Sequence, residues 1–446
     1  MINTRSPNKL TLAITGLILA ACGAPGADLN ATPPSTASSV SPPGIASAVD
    51  PASAWSPTAS FSLKESYDDN IFLQDIGPNA NRGSFITTAI PSIGVGYKPS
   101  PEFGASISYT PEFNYFASDT GEDFILHRTC LKLGGAVDNT AWDVTENFIA
   151  IQGSDLGPTY TQLGGSPAAG GPAVRDRRDA LIERGLLRVT QTFGQWFVRP
   201  VLEGYLHDFE TQHKMTAGYQ NFVNRTDLNG GVDLGWTGIE NTSLYAGYRY
   251  GVQTEDQLFP NINTADAAYY SSHYNRFLLG VEGKPWDWLK LNASAGPEIR
   301  QYDSSVVAAG FDRNQIYCYI DGTATITVSK YDTVTLLAKS FEQPGFSGRS
   351  AYLDTTLDLA WRHKLTDKLT IGAGVHGYNT DFIKPSLTRN DWILTGSAVA
   401  SYAFTKQLST ELSYLYDSAM NEESAYYPAR EYSRQCVSLG VKYSFW

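Results

Sequence analysis

The sequence is poor in charge, in cysteine and in helical signal, and each shortage removes a class of answer. Asp, Glu, Lys and Arg make up 17% of the 446 residues, and 33 basic residues face 45 acidic ones, for a formal net charge of −12. Without a basic excess there is nothing to hold a polyphosphate backbone, so nucleic acid is not expected as a partner. The 4 cysteines, Cys22, Cys130, Cys318 and Cys436, are widely spaced and form no C-x-x-C pair, which argues against zinc, redox chemistry and a disulfide framework. The 6 histidines are scattered, and no G-x-S-x-G elbow, H-E-x-x-H pair, phosphate loop, dinucleotide fingerprint or EF-hand occurs. Neither an enzyme, nor a metal, nor a cofactor is expected. The apolar run Leu10–Ala21 is far shorter than the roughly 20 residues a spanning helix needs.

Tyr (26), Phe (20), Trp (9) and Gly (40) are abundant instead, a profile of β-rich surfaces with interfacial aromatics. Arg5 and Lys9 precede the apolar run, so residues 1–21 read as a signal peptide. The run ends Leu19-Ala20-Ala21-Cys22-Gly23, which resembles a bacterial lipobox and implies a lipidated Cys22; ordinary cleavage after Ala24 or Ala27 would discard that cysteine. Residues 22–57 are rich in Ala, Ser and Pro, too poor in large apolar side chains to bury a core, and read as a disordered periplasmic tether.

From Thr58 onward, period two replaces any helical period. Over 103–115, Phe103, Ala105, Ile107, Tyr109, Pro111, Phe113 and Tyr115 alternate with Gly104, Ser106, Ser108, Thr110, Glu112 and Asn114, and the pattern returns at 289–300 and 353–362. A soluble sandwich would also alternate, so length must arbitrate. The segments run about 10 to 17 residues, long for globular strands and suited to tilted membrane spans. About eight tight turns, near 99–102, 138–140, 194, 237–241, 284–286, 331–332, 365–368 and 405–406, alternate with about nine longer polar connections, so residues 58–446 are expected to form a closed antiparallel transmembrane β-barrel of about 18 strands, turns on the periplasmic side. Trp142, Trp196, Trp236, Trp286, Trp288, Trp361, Trp392 and Phe404 lie near strand ends, as interfacial girdles would.

Two motifs carry resemblances. Ser438, Gly440, Tyr443 and Phe445 fit, position by position, the signal read by the barrel assembly machinery, with Trp446 one residue beyond its usual aromatic end. Alternation there puts Val437, Leu439, Val441, Tyr443 and Phe445 toward lipid. Ser66-Tyr67-Asp68-Asp69-Asn70-Ile71-Phe72, followed by a loop and by Pro91-Ser92-Ile93-Gly94, resembles the start of the putative β-barrel porin 2 family. That resemblance implies an outer-membrane barrel of a kind associated with export or polysaccharide systems, and it carries over no functional residue.

A barrel of this size leaves an aqueous lumen unless something plugs it, so conduction of small hydrophilic solutes, or of exported polysaccharide, is the expected function. A structural barrel anchoring envelope components is the alternative. Its surroundings would be outer-membrane lipid and lipopolysaccharide. Alternation turns Arg184, Arg188, Arg199, Arg225 and Arg249 inward on consecutive strands as a basic stripe, beside Glu203, Asp227, Asp233, Arg276, Glu282, Glu298, Arg300, Asp321, Lys339, Asp354 and Asp358. Such a stripe sets ion preference if it is not neutralised by pairing. The third outer loop, 153–174, occupies the position from which general porins narrow their pores, though it offers little charge beyond Asp155.

Overall fold

The computed structural model describes residues 54–73, 75, 80–153, 179–209, 224–255, 270–303, 310–344, 351–383, 390–422 and 431–445. The signal segment, Cys22, the tether up to residue 53, most of the 153–174 loop and Trp446 lie outside them.

Eighteen strands follow one another: β1 (Trp55–Asp68), β2 (Ser84–Ser100), β3 (Phe103–Phe116), β4 (Phe124–Val137), β5 (Thr140–Gln152), β6 (Ala180–Phe193), β7 (Trp196–Phe209), β8 (Arg225–Ile239) and β9 (Thr242–Glu255) form the first half. The second half is β10 (Ser272–Trp286), β11 (Leu289–Tyr302), β12 (Asn314–Thr327), β13 (Asp332–Pro344), β14 (Ala351–Lys364), β15 (Leu369–Phe382), β16 (Asn390–Ala403), β17 (Leu408–Glu422) and β18 (Tyr432–Ser444). Each strand pairs antiparallel with its sequence neighbours, and β1 pairs with β18, closing the cylinder. Closure matters because hydrocarbon offers no partner to a free strand edge. β1 starts at Trp55, so the barrel takes up the last residues that composition assigns to the tether.

The strands hold 13 to 17 residues. At about 3.3 Å per residue and a tilt of about 40°, they rise roughly 35 Å, enough to cross the apolar band and project past it. One end of the barrel is built from short turns. Asp138 (φ 53), Asn241 (φ 54) and Gly194 (φ 61) sit there in the left-handed region that tight hairpins need and that Asn, Asp and Gly enter most readily.

The outer face is apolar. On β18, Val437, Leu439, Val441 and Tyr443 are all exposed, as is Phe445 just after it, as alternation predicts, and Leu279, Ile316, Val375 and Leu234 are exposed on other strands. Aromatic rings band the turn end: Trp55 against Tyr97 at 4.4 Å, Trp286 stacked on Trp288 at 5.5 Å, Tyr402 against Phe404 at 4.9 Å and Tyr443 against Phe445 at 5.2 Å. An amphipathic ring is most stable at the lipid–water boundary, so this band marks one membrane interface.

One ladder is incomplete. β12 and β13 pair from Thr327↔Thr333 only as far as Ile320↔Ser340, although β12 extends to Asn314. Above that level the pairing ends, and Arg300 and Tyr302 of β11 reach Glu342 of β13.

Candidate functional site: the charged lumen

Glycines shape the inner wall. A Cβ at Gly235 on β8, Gly251 on β9 or Gly280 on β10 would overlap the ring of Phe197, Tyr274 or Tyr245 respectively. With hydrogen there, each ring lies flat across the neighbouring strand, and arginines stack on the rings. Arg199 stands 4.7 Å from the Tyr245 centroid, Arg300 4.5 Å from Tyr274, and Arg276 4.8 Å from Tyr274 and 3.7 Å from Tyr319. Stacking uses the guanidinium faces and leaves their edges free to bind carboxylates.

Two networks result. Nearer the turns, Arg188 Nε donates to Asp143 at 3.0 Å, and its Nη1 lies 3.7 Å from Glu282. Glu282 accepts two bonds from Arg199, at 2.7 and 3.0 Å; Arg199 Nε donates to Asp233 at 2.8 Å, and Asp233 also accepts from Arg249 at 2.6 Å. This chain runs unbroken from β5 to β10. Nearer the loops, Glu298 holds both Arg276 (2.6 Å) and Arg300 (2.7 Å), and Arg300 continues to Glu342 on β13 at 2.6 Å. Gln253 and Ser272 accept from Arg300 at 2.8 Å each, and Tyr302 donates to Glu342 at 2.8 Å. Arg300 is therefore 1% exposed despite carrying a full charge.

The structure brings the five stripe arginines onto adjoining strands β6 to β9 and gives each a neighbour. Arg188, Arg199 and Arg249 have the carboxylates above. Arg184 lies over Tyr205 at 5.9 Å; Arg225 contacts His207 and Tyr205 and reaches Tyr352 on β14, across the lumen. The far wall holds fewer charges: Arg434 bridges Asp68 (2.9 Å) and Asp417 (3.4 Å), His376 pairs with Asp358, and Arg128 pairs with Glu112 at 2.7 Å. No cluster of three or more His, Cys, Asp or Glu able to hold a metal occurs among the described residues.

Sequence reasoning passes over Glu342, Asp68, Asp417 and Arg434. Arg434 follows from counting back in twos from inward Ser438. Glu342 could not be found that way, because it stands three residues beyond inward Lys339 and should face outward. It nonetheless lies 2.6 Å from Arg300, at a level where the β12–β13 ladder has ended.

At the loop end apolar clusters join the charged groups. Ile71, Phe116, Phe124, Leu126, Ile149, Ile151, Ile182 and Phe209 form one buried cluster across β3 to β7; Leu73, Tyr378, Ile393, Ala419 and Tyr432 form another across β15 to β18. Tyr270, Tyr302, Phe311 and Ala351 make a third.

A closed antiparallel barrel of eighteen strands, apolar outside, charged within and banded by aromatics, defines an outer-membrane β-barrel protein. Residues 320–445 match the family model described as putative beta-barrel porin 2, the family that the 66–72 motif, on the strand that closes the barrel against β18, resembles. No curated protein matches. Solved structures similar to the chain include OccK2 (OpdF) of Pseudomonas aeruginosa, at 10% identity and TM-score 0.43, covering 87% of this chain and 98% of that one. The siderophore receptor PiuA of Acinetobacter baumannii matches at 10% identity and TM-score 0.44 over 87% and 82% of the two chains. The anion-selective porin from Comamonas acidovorans matches at 10% identity and TM-score 0.36 over 88% and 99%.

Proposed function

We propose that the protein is a porin-like outer-membrane channel for small hydrophilic solutes, with exported polysaccharide as the second class of cargo. The observation that carries this reading is the lumen: long charged side chains of both signs are held on the inner face of a closed barrel, the lining that a hydrated passage uses to act on its solutes. The match of residues 320–445 to a porin family supports it. The turns face the periplasm in this reading, the segment from residue 22 to the start of β1 extends from that side, and Ser438, Gly440, Tyr443 and Phe445 serve as the signal for the assembly machinery. Cys22 is the lipidation candidate, and the mass of the mature N-terminus decides it.

Planar-bilayer recording tests the channel: step-like conductance is expected, and a folded barrel that never conducts would remove the transport reading. The stripe is tested in the same bilayer. Arg184→Glu with Arg188→Glu should shift the reversal potential in a salt gradient toward cations; an unchanged potential means the arginines do not set selectivity. Liposome swelling with sugars of increasing size separates small solutes from polysaccharide.

A further inference from the structure

We propose that the tripeptide Ile71-Phe72-Leu73 is a gate: an apolar latch inserted into the loop-end mouth, which must leave its seat before a hydrophilic solute can pass. The proposal rests on the channel reading and adds to it the residues that control passage.

The segment enters on a polar hinge. Asp68 ends β1 and accepts from Arg434 Nε at 2.9 Å, while its other oxygen accepts the Asn70 backbone N–H at 2.9 Å. The Asn70 amide donates to the Ser433 carbonyl at 3.0 Å, and Asp69 exchanges two bonds with Gln435, at 3.1 and 2.7 Å. Asp68, Asp69 and Asn70 are thereby fixed to β18.

The next three residues are apolar and face inward. Ile71 is 1% exposed and packs in the β3 to β7 cluster, with Phe72 against the same cluster. Leu73, 2% exposed, packs in the other cluster, against Tyr378, Ile393, Ala419 and Tyr432. Consecutive residues therefore bridge two walls of the mouth that are separated by β1 and β2. The segment therefore sits on the inner side of the loop-end mouth, over its own hairpin, where an apolar constriction gates by dewetting.

Two observations indicate that the latch is displaceable. Its side chains sit in apolar clusters, with the Arg82 guanidinium 5.6 Å from the Phe72 ring, while its backbone is held by Ile71 N–H to the Arg82 carbonyl at 2.9 Å and by Leu73 N–H to the Asn70 carbonyl at 3.1 Å. Leu73 also has φ +57, a conformation that strains a residue with a Cβ and persists only while the surroundings hold it. Leaving the seat relieves that strain, so the closed state stores part of what opening requires. The family-like motif is thus divided by role: Asp68-Asp69-Asn70 is the hinge, and Ile71-Phe72, with Leu73 just beyond the motif, the latch.

Single-channel recording of the full-length protein tests this. Wild type should be closed most of the time, and Ile71→Asp or Leu73→Asp should raise the open fraction about tenfold or more. Leu73→Gly, which removes the side chain and the strain together, serves if the aspartate variants do not reach the heat-shifted mobility of a folded barrel. Leu73→Cys with Ala419→Cys, in a background with Cys130, Cys318 and Cys436 changed to Ser, should close the pore under oxidant and reopen it under reductant. A wild type that conducts steadily, with no response to these changes, overturns the gate and leaves the channel standing. Silence in every folded variant, including one lacking residues 71–73, overturns gate and channel together.

Discussion

At the scale of single residues, the lumen is organised by where hydrogen replaces a side chain. Gly251 lets Tyr274 lie on the wall, and Tyr274 carries both Arg276 and Arg300 while donating to Asp227 at 2.8 Å. The ring is buried and bonded at its tip, so it cannot swing aside for a methyl group. Gly251→Ala is expected to destabilise the barrel by about 1–3 kcal/mol through overpacking, read as a lower urea midpoint for loss of the folded gel band; Gly396→Ala, where a Cβ would meet nothing within 4 Å, is the control and should leave the midpoint in place. An equal response at both positions would refute the ring-seating account. The inward residues themselves could be read from alternation, because parity fixes the face. The Gly–ring–Arg layers could not, because Gly251 and Tyr274 meet only through the register of β9 and β10, a pairing that no single segment encodes.

At the scale of elements, β18 separates what folding needs from what assembly needs. Its alternation was legible, and each of Val437, Leu439, Val441, Tyr443 and Phe445 faces outward. Gly440 is different. A Cβ there would meet only ordinary contacts, the Leu63 carbonyl and the Lys64 side chain at 3.8 Å. The finished barrel therefore has no steric need for glycine at this position, as it does at Gly251. If the residue is kept for the assembly signal, Gly440→Ala should change urea stability by no more than about 0.5 kcal/mol while lowering the amount of folded barrel in cell envelopes. Lost stability with normal yield would reverse that assignment. Loop-end segments were harder to read. β4 and β5 carry apolar residues on both faces there, as in Phe124-Ile125-Leu126 and Ile149-Ala150-Ile151, and parity cannot say that Phe124, Leu126, Ile149 and Ile151 turn inward to receive Ile71 until the loop is known to fold back.

At the scale of the whole molecule, strand number and order were legible because period two and the alternation of short turns with long loops are both local in sequence, and closing such a sheet on itself needs nothing more than an even count with both ends on one side. The balance of charge across the lumen was not, since it depends on which strands face one another. Glu282 shows the consequence. It is 26% exposed and serves both Arg199 and Arg188, so one carboxylate offsets two members of the basic stripe. Asp143, Asp233 and Glu282 together offset three of the five stripe arginines, so wild-type selectivity should be weaker than the stripe alone would give. Glu282→Gln keeps the shape and the acceptor oxygen but removes the negative charge, and the reversal potential in a salt gradient should move toward anions. The size of that shift carries the diagnosis. The Debye length falls from about 10 Å at 0.1 M to about 3 Å at 1 M salt, so a fixed charge acting on ions in a hydrated lumen loses most of its influence at the higher concentration. A shift that shrinks with salt places Glu282 on the conduction path; one that persists unchanged would mean that the substitution altered the pore's geometry instead.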